Sequence, residues 1–169
     1  KKILDIATGT GDFAIAALSL NPDEVIGIDI SQGMLDVGKR KIKKKGIESL
    51  VKMYIGDSEE IPYDKDFFDA LTVGFGVRNY QDLERGLKEM LRVIKPNGKV
   101  VILEFSKPKR FPMRELFSFY SRYLIPFFGQ YLSKDKRAYK YLPESVAAFP
   151  EGEEFIDIMK KVGYKNINT

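Results

Sequence analysis

The chain has 169 residues, a net charge of +4 and a hydrophobic fraction of 44%, values that suit one folded domain with a substantial core. It contains neither Cys nor His, which excludes disulfide frameworks, thiol catalysis, histidine general bases and the common zinc sites. No run of eighteen apolar residues and no signal-peptide pattern occurs, so we expect a cytoplasmic protein without a membrane span. Any chemistry must therefore depend on carboxylates, Arg, Lys, Tyr, Asn or a cofactor.

The first predicted strand, Lys2–Ile6, runs into a glycine-rich turn, and a helix begins near Asp12. Gly9 and Gly11 lack Cβ atoms, so the backbone of the turn can approach a ligand closely. The free N–H groups and the positive dipole end of the following helix favour an anionic group in the turn. The pattern predicts a site for the anionic part of a ligand.

A second apolar strand, residues 25–29, ends in Asp29, whose carboxylate is placed to accept both hydroxyls of a ribose. The turn and the carboxylate together predict a pocket for a nucleoside with an anionic tail. One cofactor that fits is a dinucleotide, since Gly9-x-Gly11-x-x-Ala14 matches the permissive form of the Rossmann dinucleotide-binding fingerprint. The other is S-adenosylmethionine. Asp5 favours it, because a negative charge at the end of the first strand repels a pyrophosphate and attracts an ammonium or sulfonium group.

Strand and helix signals alternate along the chain. Strands are predicted over residues 2–6, 25–29, 51–55, 70–73 and 100–105, and helices over residues 13–20, 34–45, 83–94 and 153–162. Ser31 is predicted to cap the second helix, and Pro96-Asn97-Gly98 to end the third. This alternation predicts an α/β fold, with a doubly wound and mostly parallel sheet and helices on both faces.

Two further turns follow the third and fourth strands, at the edge where open α/β sheets bind ligands. In the first, the Asp57 carboxylate can accept a hydrogen bond from the exocyclic amine of adenine, and the N–H of Ser58 can donate to a ring nitrogen. An ordinary acidic loop is the alternative. In the second, Gly74 lets the backbone come close to a ligand, and Arg78 and Asn79 place a cation and an amide beside the pocket. The alternative is that Arg78 is an ordinary surface residue. The acidic residues between 64 and 69 lack calcium-loop spacing, so we predict no metal site.

Residues 111–132 are rich in aromatic side chains at helical spacing, and the charged residues among them exclude a bilayer span. They are interpreted either as an amphipathic helix packed on the domain or as a lid or membrane-facing surface for an apolar substrate. The basic run 39–45 is interpreted as the solvated end of a helix, with a patch for anionic membrane or nucleic acid as the alternative. A strand is predicted to begin near Lys165. The sequence begins at the first predicted strand and stops where the last predicted strand is starting. We therefore expect a domain truncated at both ends.

Five segments carry a resemblance to a known family: LDIATGTGD (4–12), GFGVRN (74–79), LEFSKP (103–108), DKRAY (135–139) and YLPES (141–145), the last followed by Phe149-Pro150. Many methyltransferases share the first segment, whereas the others are much narrower. In these segments and in their order, the chain resembles the menaquinone and ubiquinone biosynthesis C-methyltransferases, the UbiE/MenG family, over essentially its whole length. The dinucleotide alternative also lacks a Tyr-x-x-x-Lys pair, which a short-chain dehydrogenase needs.

The resemblance implies a Rossmann-like class I fold that binds S-adenosylmethionine, with a single domain over residues 1–169. Residues 106–150 are expected to form a helical and loop insertion that covers the substrate. The implied reaction is methylation of a ring carbon on a polyprenyl quinol, such as demethylmenaquinol. Together with the turn chemistry above, the expected cofactor contacts are Asp5, Gly9, Thr10, Gly11, Asp29, Met34, Asp57, Ser58 and Gly74. Arg78 and Asn79 match the family's Arg-Asn pair near the acceptor.

Arg78 is expected to stabilise a quinolate anion, because a nearby cation lowers the pKa of a phenol. The proton is expected to leave through water held by Arg78 and Asn79, or to a carboxylate such as Asp57. The expected partners are a polyprenyl quinol, a membrane surface bound peripherally and a second copy of the chain, with no nucleic acid. The alternatives are a methyltransferase for another small molecule such as a sterol or polyketide, a dinucleotide enzyme, and a non-catalytic cofactor-binding subunit.

Overall fold

The structure is a computed structural model that describes residues 1–106, 111–112 and 149–169. The chain divides into two compact units, Lys1–Glu104 with Asp157–Thr169, and Phe105–Ile156. The first unit contains the whole sheet. The predicted insertion, residues 106–150, belongs to the second unit and lies for the most part outside the described residues. Its role as a substrate cover therefore stays a prediction.

The described elements alternate between strands and helices, as the sequence indicated. They are β1 (Lys2–Ile6), α1 (Asp12–Ala16) with a 3-10 turn (Ala17–Leu20), β2 (Glu24–Asp29), α2 (Gln32–Lys45), β3 (Val51–Ile55), β4 (Phe68–Gly74), a 3-10 turn (Val77–Asn79), α3 (Leu83–Val93), β5 (Ile94–Leu103) and α4 (Glu153–Val162). The five strands pair in parallel in the order β3-β2-β1-β4-β5. This arrangement confirms the predicted α/β fold with a doubly wound parallel sheet.

The helix boundaries follow local capping chemistry. The Ser31 hydroxyl accepts from the N–H of Met34 at 3.4 Å, which confirms the predicted cap of α2. Asp82 caps α3 in the same way, accepting from the N–H of Arg85 at 3.0 Å. Gly46, with a φ of +65°, ends α2 in the left-handed conformation that glycine adopts without strain.

The fifth strand begins earlier than the sequence indicated. Ile94 already pairs with β4, residues 95–98 then bulge out, and regular pairing resumes at Lys99. Pro96 lacks the N–H that a ladder needs, and Asn97 has a φ of +65°. The predicted turn is therefore present, but it interrupts a strand instead of separating a helix from one.

The predicted strand near Lys165 is wrong, because residues 163–169 contain no strand. The N–H of Tyr164 donates to the carbonyl of Met159, which closes the end of α4. The Tyr164 hydroxyl donates to the carbonyl of Leu87 at 2.9 Å, so the segment is held against α3. A further difference is that the α-helical part of the first helix ends at Ala16, and a 3-10 turn covers the rest of the predicted span.

Both faces of the sheet are covered by helices. One buried cluster contains Ile3, Ala14, Ala17, Val25, Leu35, Ile42, Val51 and Met53, so α1 and α2 cover the face of the sheet that Ile3 points to. Leu4 and Leu71 are fully buried neighbours in register and point to the other face, because successive strand residues alternate. The right-handed crossover from β4 to β5 places α3 on that second face. Burial on both faces explains why the central strands β1 and β2 read as apolar runs.

Gly38 lets α2 pack closely against β3 and the turn after β1. A Cβ at this position would lie 2.5 Å from the Met53 sulfur and 3.1 Å from the carbonyl carbon of Thr10. Met53 can move, but the backbone of Thr10 is fixed by the turn it belongs to. The absence of a side chain at Gly38 therefore sets the distance between α2 and the turn that carries Gly9 and Gly11.

We predict that Gly38→Ala destabilises the fold by about 1–3 kcal/mol, the usual range for overpacking a close-packed contact. Gly33→Ala is the matched control, because Gly33 lies in the same helix and a Cβ there would meet no atom within 4 Å. The control variant should be neutral or more stable by up to about 1 kcal/mol, since alanine is the better helix former. Urea unfolding of both variants measures the difference, and equal stability changes would contradict the packing argument.

Candidate active site

Four loops meet at the carboxyl edge of the sheet. They are residues 7–11 after β1, 29–31 after β2, 56–60 after β3 and 74–79 after β4. Because β1 lies between β2 and β4, the chain winds in opposite directions on its two sides. Open α/β sheets bind ligands in the crevice at such a reversal. The structure thus gathers the loops that carry the predicted cofactor and acceptor residues.

The glycine loop, residues 7–11, turns back sharply through left-handed conformations. Ala7, Gly9 and Gly11 have φ values of +51°, +56° and +79°. The N–H of Gly11 donates to the Thr8 carbonyl at 2.8 Å, and the N–H of Thr8 donates to the carbonyl of Ile28 at 2.9 Å. A Cβ on Gly9 would meet no atom within 4 Å, so the space above the loop is open to a ligand.

Asp5 supports the glycine loop from below. Its side chain is enclosed between β2 and β4, with 1% of the residue exposed. Its two oxygens accept hydrogen bonds from the Thr8 hydroxyl and, at 2.6 Å, from the Thr72 hydroxyl. Burial raises the pKa of Asp5, and the two hydroxyls partly offset this. The sequence predicted a cofactor contact for this carboxylate, and the structure shows it buried and hydrogen-bonded to Thr8 of the loop.

Asp29 joins the glycine loop to the start of α2. One carboxylate oxygen accepts from the N–H of Gly9 at 2.8 Å, and the other accepts from the N–H of Ser31 at 2.8 Å. A carboxylate has about four lone-pair sites, so each oxygen can accept a second hydrogen bond, as from a ribose hydroxyl. The carboxylate is therefore fixed in orientation and still able to bind a diol.

Two apolar side chains lie next to this carboxylate. Ile30 directly follows Asp29 and is 76% exposed, and the predicted contact Met34 is 47% exposed. Exposed apolar side chains beside a polar anchor suit the flat face of a base. Sequence reasoning missed Ile30, although an apolar residue directly after the strand-terminal carboxylate was a usable signal.

Lys41 supplies the positive charge beside the glycine loop. The α-helical part of α1 is only five residues long, and Asp12 lies in its first turn. Because α1 is short and carries a negative charge at its start, its N-terminus attracts an anion less strongly than the sequence suggested. The Lys41 ammonium lies 2.8 Å from the Thr10 hydroxyl and 2.8 Å from the Asp12 carboxylate. These contacts hold the pKa of Asp12 below its usual range, and Lys41 is a second residue that the sequence did not indicate.

The predicted adenine loop, residues 57–60, is closed by its own side chains. The Asp57 carboxylate accepts from the N–H of Glu59 at 2.8 Å, and the Asp57 carbonyl accepts from the N–H of Glu60 at 3.2 Å. The Glu59 carboxylate accepts from the backbone N–H of Gln81 at 2.6 Å. The loop is thereby attached to the segment that follows β4.

Gly74 makes room for an aromatic ring at the end of β4. A Cβ there would lie 2.5 Å from a ring carbon of Phe13, so Gly74 allows Phe13 to cover this strand end. Phe13 also meets Phe75 edge to face, with ring centroids 6.4 Å apart. The close approach expected at Gly74 is therefore made by a side chain of α1, which forms an apolar wall at the strand end.

Arg78 forms a nearly buried ion pair with Glu104. Its Nη1 lies 2.8 Å from one carboxylate oxygen, and its backbone N–H donates to the other at 3.3 Å. The two side chains are 11% and 8% exposed. Arg78 also lies over the Phe75 ring at 5.9 Å, and the exposed Asn79 follows it in the 3-10 turn. Sequence reasoning gave Glu104 no role, although its place at the end of β5, beside β4, was an available signal.

Neither a metal cluster nor a membrane span is found among the described residues. In that part of the chain, no group of three Asp, Glu, His or Cys side chains could hold a metal ion. Likewise, none of the helices there is long and apolar enough to cross a bilayer.

Comparison with known proteins agrees with this geometry. The family model described as the ubiE/COQ5 methyltransferase family matches residues 1–169. The demethylmenaquinone methyltransferase of Bacteroides fragilis is 46% identical over 99% of this chain and 69% of its own length. The ubiquinone/menaquinone biosynthesis C-methyltransferase UbiE of Geotalea daltonii is 44% identical over 98% of this chain and 71% of its own length. The chain thus spans about two thirds of the length of these relatives.

A solved structure shows the same fold. Phosphoethanolamine N-methyltransferase 2 of Haemonchus contortus, in complex with S-adenosyl-L-methionine, has a TM-score of 0.71 and 22% identity to this chain. The match covers 98% of this chain and 33% of that protein. The fold and the family match define a class I methyltransferase that depends on S-adenosylmethionine. This confirms S-adenosylmethionine, and not a dinucleotide, as the cofactor. The chain belongs to the ubiE/COQ5 methyltransferase family, which confirms the predicted resemblance.

We predict that Lys41→Met weakens the binding of S-adenosylmethionine about 10-fold, the equivalent of one hydrogen bond to a charged group. Methionine has an apolar side chain of similar length but lacks the ammonium that contacts Thr10 and Asp12. Titration calorimetry with the cofactor measures the change.

Lys44→Met is the control for this experiment, because Lys44 is exposed on the same helix and changes the net charge equally. It should leave the affinity within about twofold, a change below 0.5 kcal/mol. If both variants weaken binding alike, the effect belongs to overall charge and the role of Lys41 in the loop is refuted.

Proposed function

We propose that this chain is the methyltransferase domain of an enzyme of menaquinone or ubiquinone biosynthesis, which transfers a methyl group from S-adenosylmethionine to a ring carbon of a polyprenyl quinol. The observation that carries the proposal is the Arg78–Glu104 ion pair, which lies at the same sheet edge as the glycine loop. The relatives in Bacteroides fragilis and Geotalea daltonii support the quinol class, since their names describe this reaction.

The described residues fit the cofactor. Asp29 would bind the ribose, Ile30 and Met34 would contact the adenine face, and Asp57 with Ser58 would read its edge. The open space above Gly9 suits the amino acid portion, with Thr10 and Gly11 lining the same turn. The polar cluster of Asp5 and the wall at Gly74 would act by shaping this pocket. When bound, S-adenosylmethionine supplies an electrophilic methyl group on a sulfonium.

Arg78 is the residue we assign to the acceptor. The ring carbon becomes a strong nucleophile when the neighbouring hydroxyl loses its proton, and a phenol has an ordinary pKa of about 10. A guanidinium held in a nearly buried site favours the anion, because the local dielectric is low there. Glu104 holds the guanidinium at 2.8 Å, and its negative charge partly offsets the positive charge of Arg78. The ion pair therefore determines how strongly the quinolate anion is stabilised. We assign the proton to water held by Arg78 and Asn79.

The aromatic segment 111–132 completes the proposal. Its composition suits a cover for the isoprenoid chain of the quinol, within the insertion at residues 106–150. Peripheral association with a membrane belongs to the same proposal, since the substrate class is lipid-soluble and the segment is rich in aromatic residues. A homodimer stays a prediction.

We expect the protein to convert demethylmenaquinol to a product heavier by one methylene, and mass spectrometry of the extracted quinol tests this. Asp29→Ala should weaken S-adenosylmethionine binding roughly 10- to 150-fold, the equivalent of a hydrogen bond to a charged group worth about 1.5–3 kcal/mol. Turnover of a sterol or polyketide phenol with no turnover of the quinol would instead show a methyltransferase for another small molecule. Cofactor binding without turnover of any acceptor would show a non-catalytic subunit.

We predict that variants at the ion pair shift the pH profile of kcat in opposite directions. Arg78→Gln should lower kcat by roughly 10²–10³ and raise its apparent pKa toward that of a free phenol, because the cation is lost. Glu104→Gln should move the apparent pKa down, because the guanidinium loses the charge that tempers it. Cofactor affinity should stay within about twofold in both, since neither side chain is assigned to the cofactor.

Each single variant leaves one buried charge unpaired, which costs about 3–5 kcal/mol of stability. The double variant Arg78→Gln with Glu104→Gln removes both charges and serves as the folded reference. Its pH profile should resemble that of Arg78→Gln. If all three variants keep the pH profile of the unmodified protein, the pair is structural and the proton route lies elsewhere.

A further inference from the structure

The adenine loop is tied to the segment that follows Arg78 by one carboxylate. Glu59 accepts from the backbone N–H of Gln81 at 2.6 Å and from that of Asp82 at 3.2 Å, through the same oxygen. Gln81 and Asp82 lie between the 3-10 turn that carries Arg78 and the first turn of α3. A side chain from the loop after β3 therefore satisfies backbone donors of the loop after β4.

A second contact returns from α3 to the same residue. Arg85 Nε donates to the Glu59 carbonyl at 2.9 Å, while the N–H of Arg85 donates to the capping carboxylate of Asp82. Glu59 is thus held at its carbonyl and at its carboxylate by one rigid helix end. Because the contacts close a ring through Asp82, displacement of Glu59 would break several hydrogen bonds together.

Tyr80, one residue before Gln81, holds the same segment against α3. Its ring rests on Gly86 of α3, where a Cβ would lie 2.3 Å from a ring carbon. Its hydroxyl donates to the Met90 sulfur of the same helix at 3.8 Å, and burial raises the pKa of Tyr80, so the phenol keeps its proton. Residues 80–82 are therefore held against α3, and Glu59 joins the adenine loop to them.

We propose that Glu59 is a positioning residue that couples cofactor binding to the order of the Arg78 segment, residues 78–82. The inference rests on the proposed function, in which Asp57 and Ser58 bind adenine and Arg78 with Asn79 faces the acceptor. A ligand that immobilises the adenine loop also immobilises whatever is bound to it, which lowers the entropy cost of ordering the second site. Glu59 thereby makes the acceptor site complete only when the cofactor is in place.

Glu60 provides a matched control. It is the next residue, carries the same charge and is also close to Arg85, but its carboxylate lies 3.5 Å from the guanidinium and its side chain is 83% exposed. An exposed pair of this length contributes little. A variant at Glu60 changes net charge and loop composition as much as one at Glu59, without breaking the link to Gln81 and Asp82.

Hydrogen exchange with and without saturating S-adenosylhomocysteine, the demethylated cofactor, tests the coupling. In the unmodified protein and in Glu60→Ala, the ligand should slow exchange of amides 78–82 about 10-fold, the factor that one hydrogen bond to a charged acceptor supplies. In Glu59→Ala the slowing should be less than about twofold, and kcat at saturating S-adenosylmethionine should fall about 10-fold. Glu59→Gln keeps a neutral acceptor and should show slowing of about threefold, as weaker hydrogen bonds predict.

The outcomes separate this inference from the proposed function. Calorimetry first establishes whether S-adenosylhomocysteine binds, and absence of binding to the unmodified protein would overturn the proposed function itself. If the ligand binds and slows exchange at 78–82 equally in the unmodified protein and in Glu59→Ala, the coupling is overturned while the function stands. If Glu59→Ala does not fold, Glu59→Gln decides: partial slowing supports the coupling, and slowing equal to that of the unmodified protein overturns it.

Discussion

The buried carboxylate of Asp5 is the constraint on which the rest of the site depends. A charge enclosed between two strands is costly unless its oxygens are hydrogen-bonded, and here the hydroxyls of Thr8 and Thr72 satisfy them. The bond to Thr8 fixes the first residues of the glycine loop relative to the sheet. Gly27 accommodates this arrangement, since a Cβ there would lie 2.8 Å from the Thr8 hydroxyl oxygen. Three adjacent strands therefore determine where the loop turns.

Carboxylates that accept from backbone N–H groups organise the other loops in the same way. Asp29 joins the glycine loop to α2, Glu59 joins the adenine loop to the start of α3, and Glu104 binds both the backbone and the guanidinium of Arg78. Each carboxylate belongs to a loop or strand end next to the one it binds. A chain without His or Cys thus builds its site from acidic groups that orient the backbone and from two cations, Lys41 paired with Asp12 and Arg78 paired with Glu104.

This organisation links binding of the cofactor to the chemistry. Most residues assigned to the cofactor lie at the ends of β1, β2 and β3 or in the loops that follow them, and Arg78 and Asn79, assigned to the acceptor, follow β4. Because β1 is flanked by β2 and β4, the two sets of loops are neighbours in space although they are distant in sequence. The contacts of Glu59 with Gln81, Asp82 and Arg85 cross this boundary, so the loops on either side of it are joined by hydrogen bonds.

The sequence by itself determined the presence of the five strands of the sheet, most helices, the cap at Ser31 and the class of cofactor, because these depend on residues within one turn or on periodicity along one element. It also determined the family, through short segments such as GFGVRN. It was wrong about a strand near Lys165 and about where β5 begins. Only the tertiary structure decided that Asp5 lies beneath the loop, that Arg78 is paired with Glu104, and that Lys41 and Glu59 belong to the site. The partners in these contacts are 26, 31 and 22 residues apart for Arg78–Glu104, Lys41–Thr10 and Glu59–Gln81. Contacts at such separations depend on strand order and register, which local patterns do not specify.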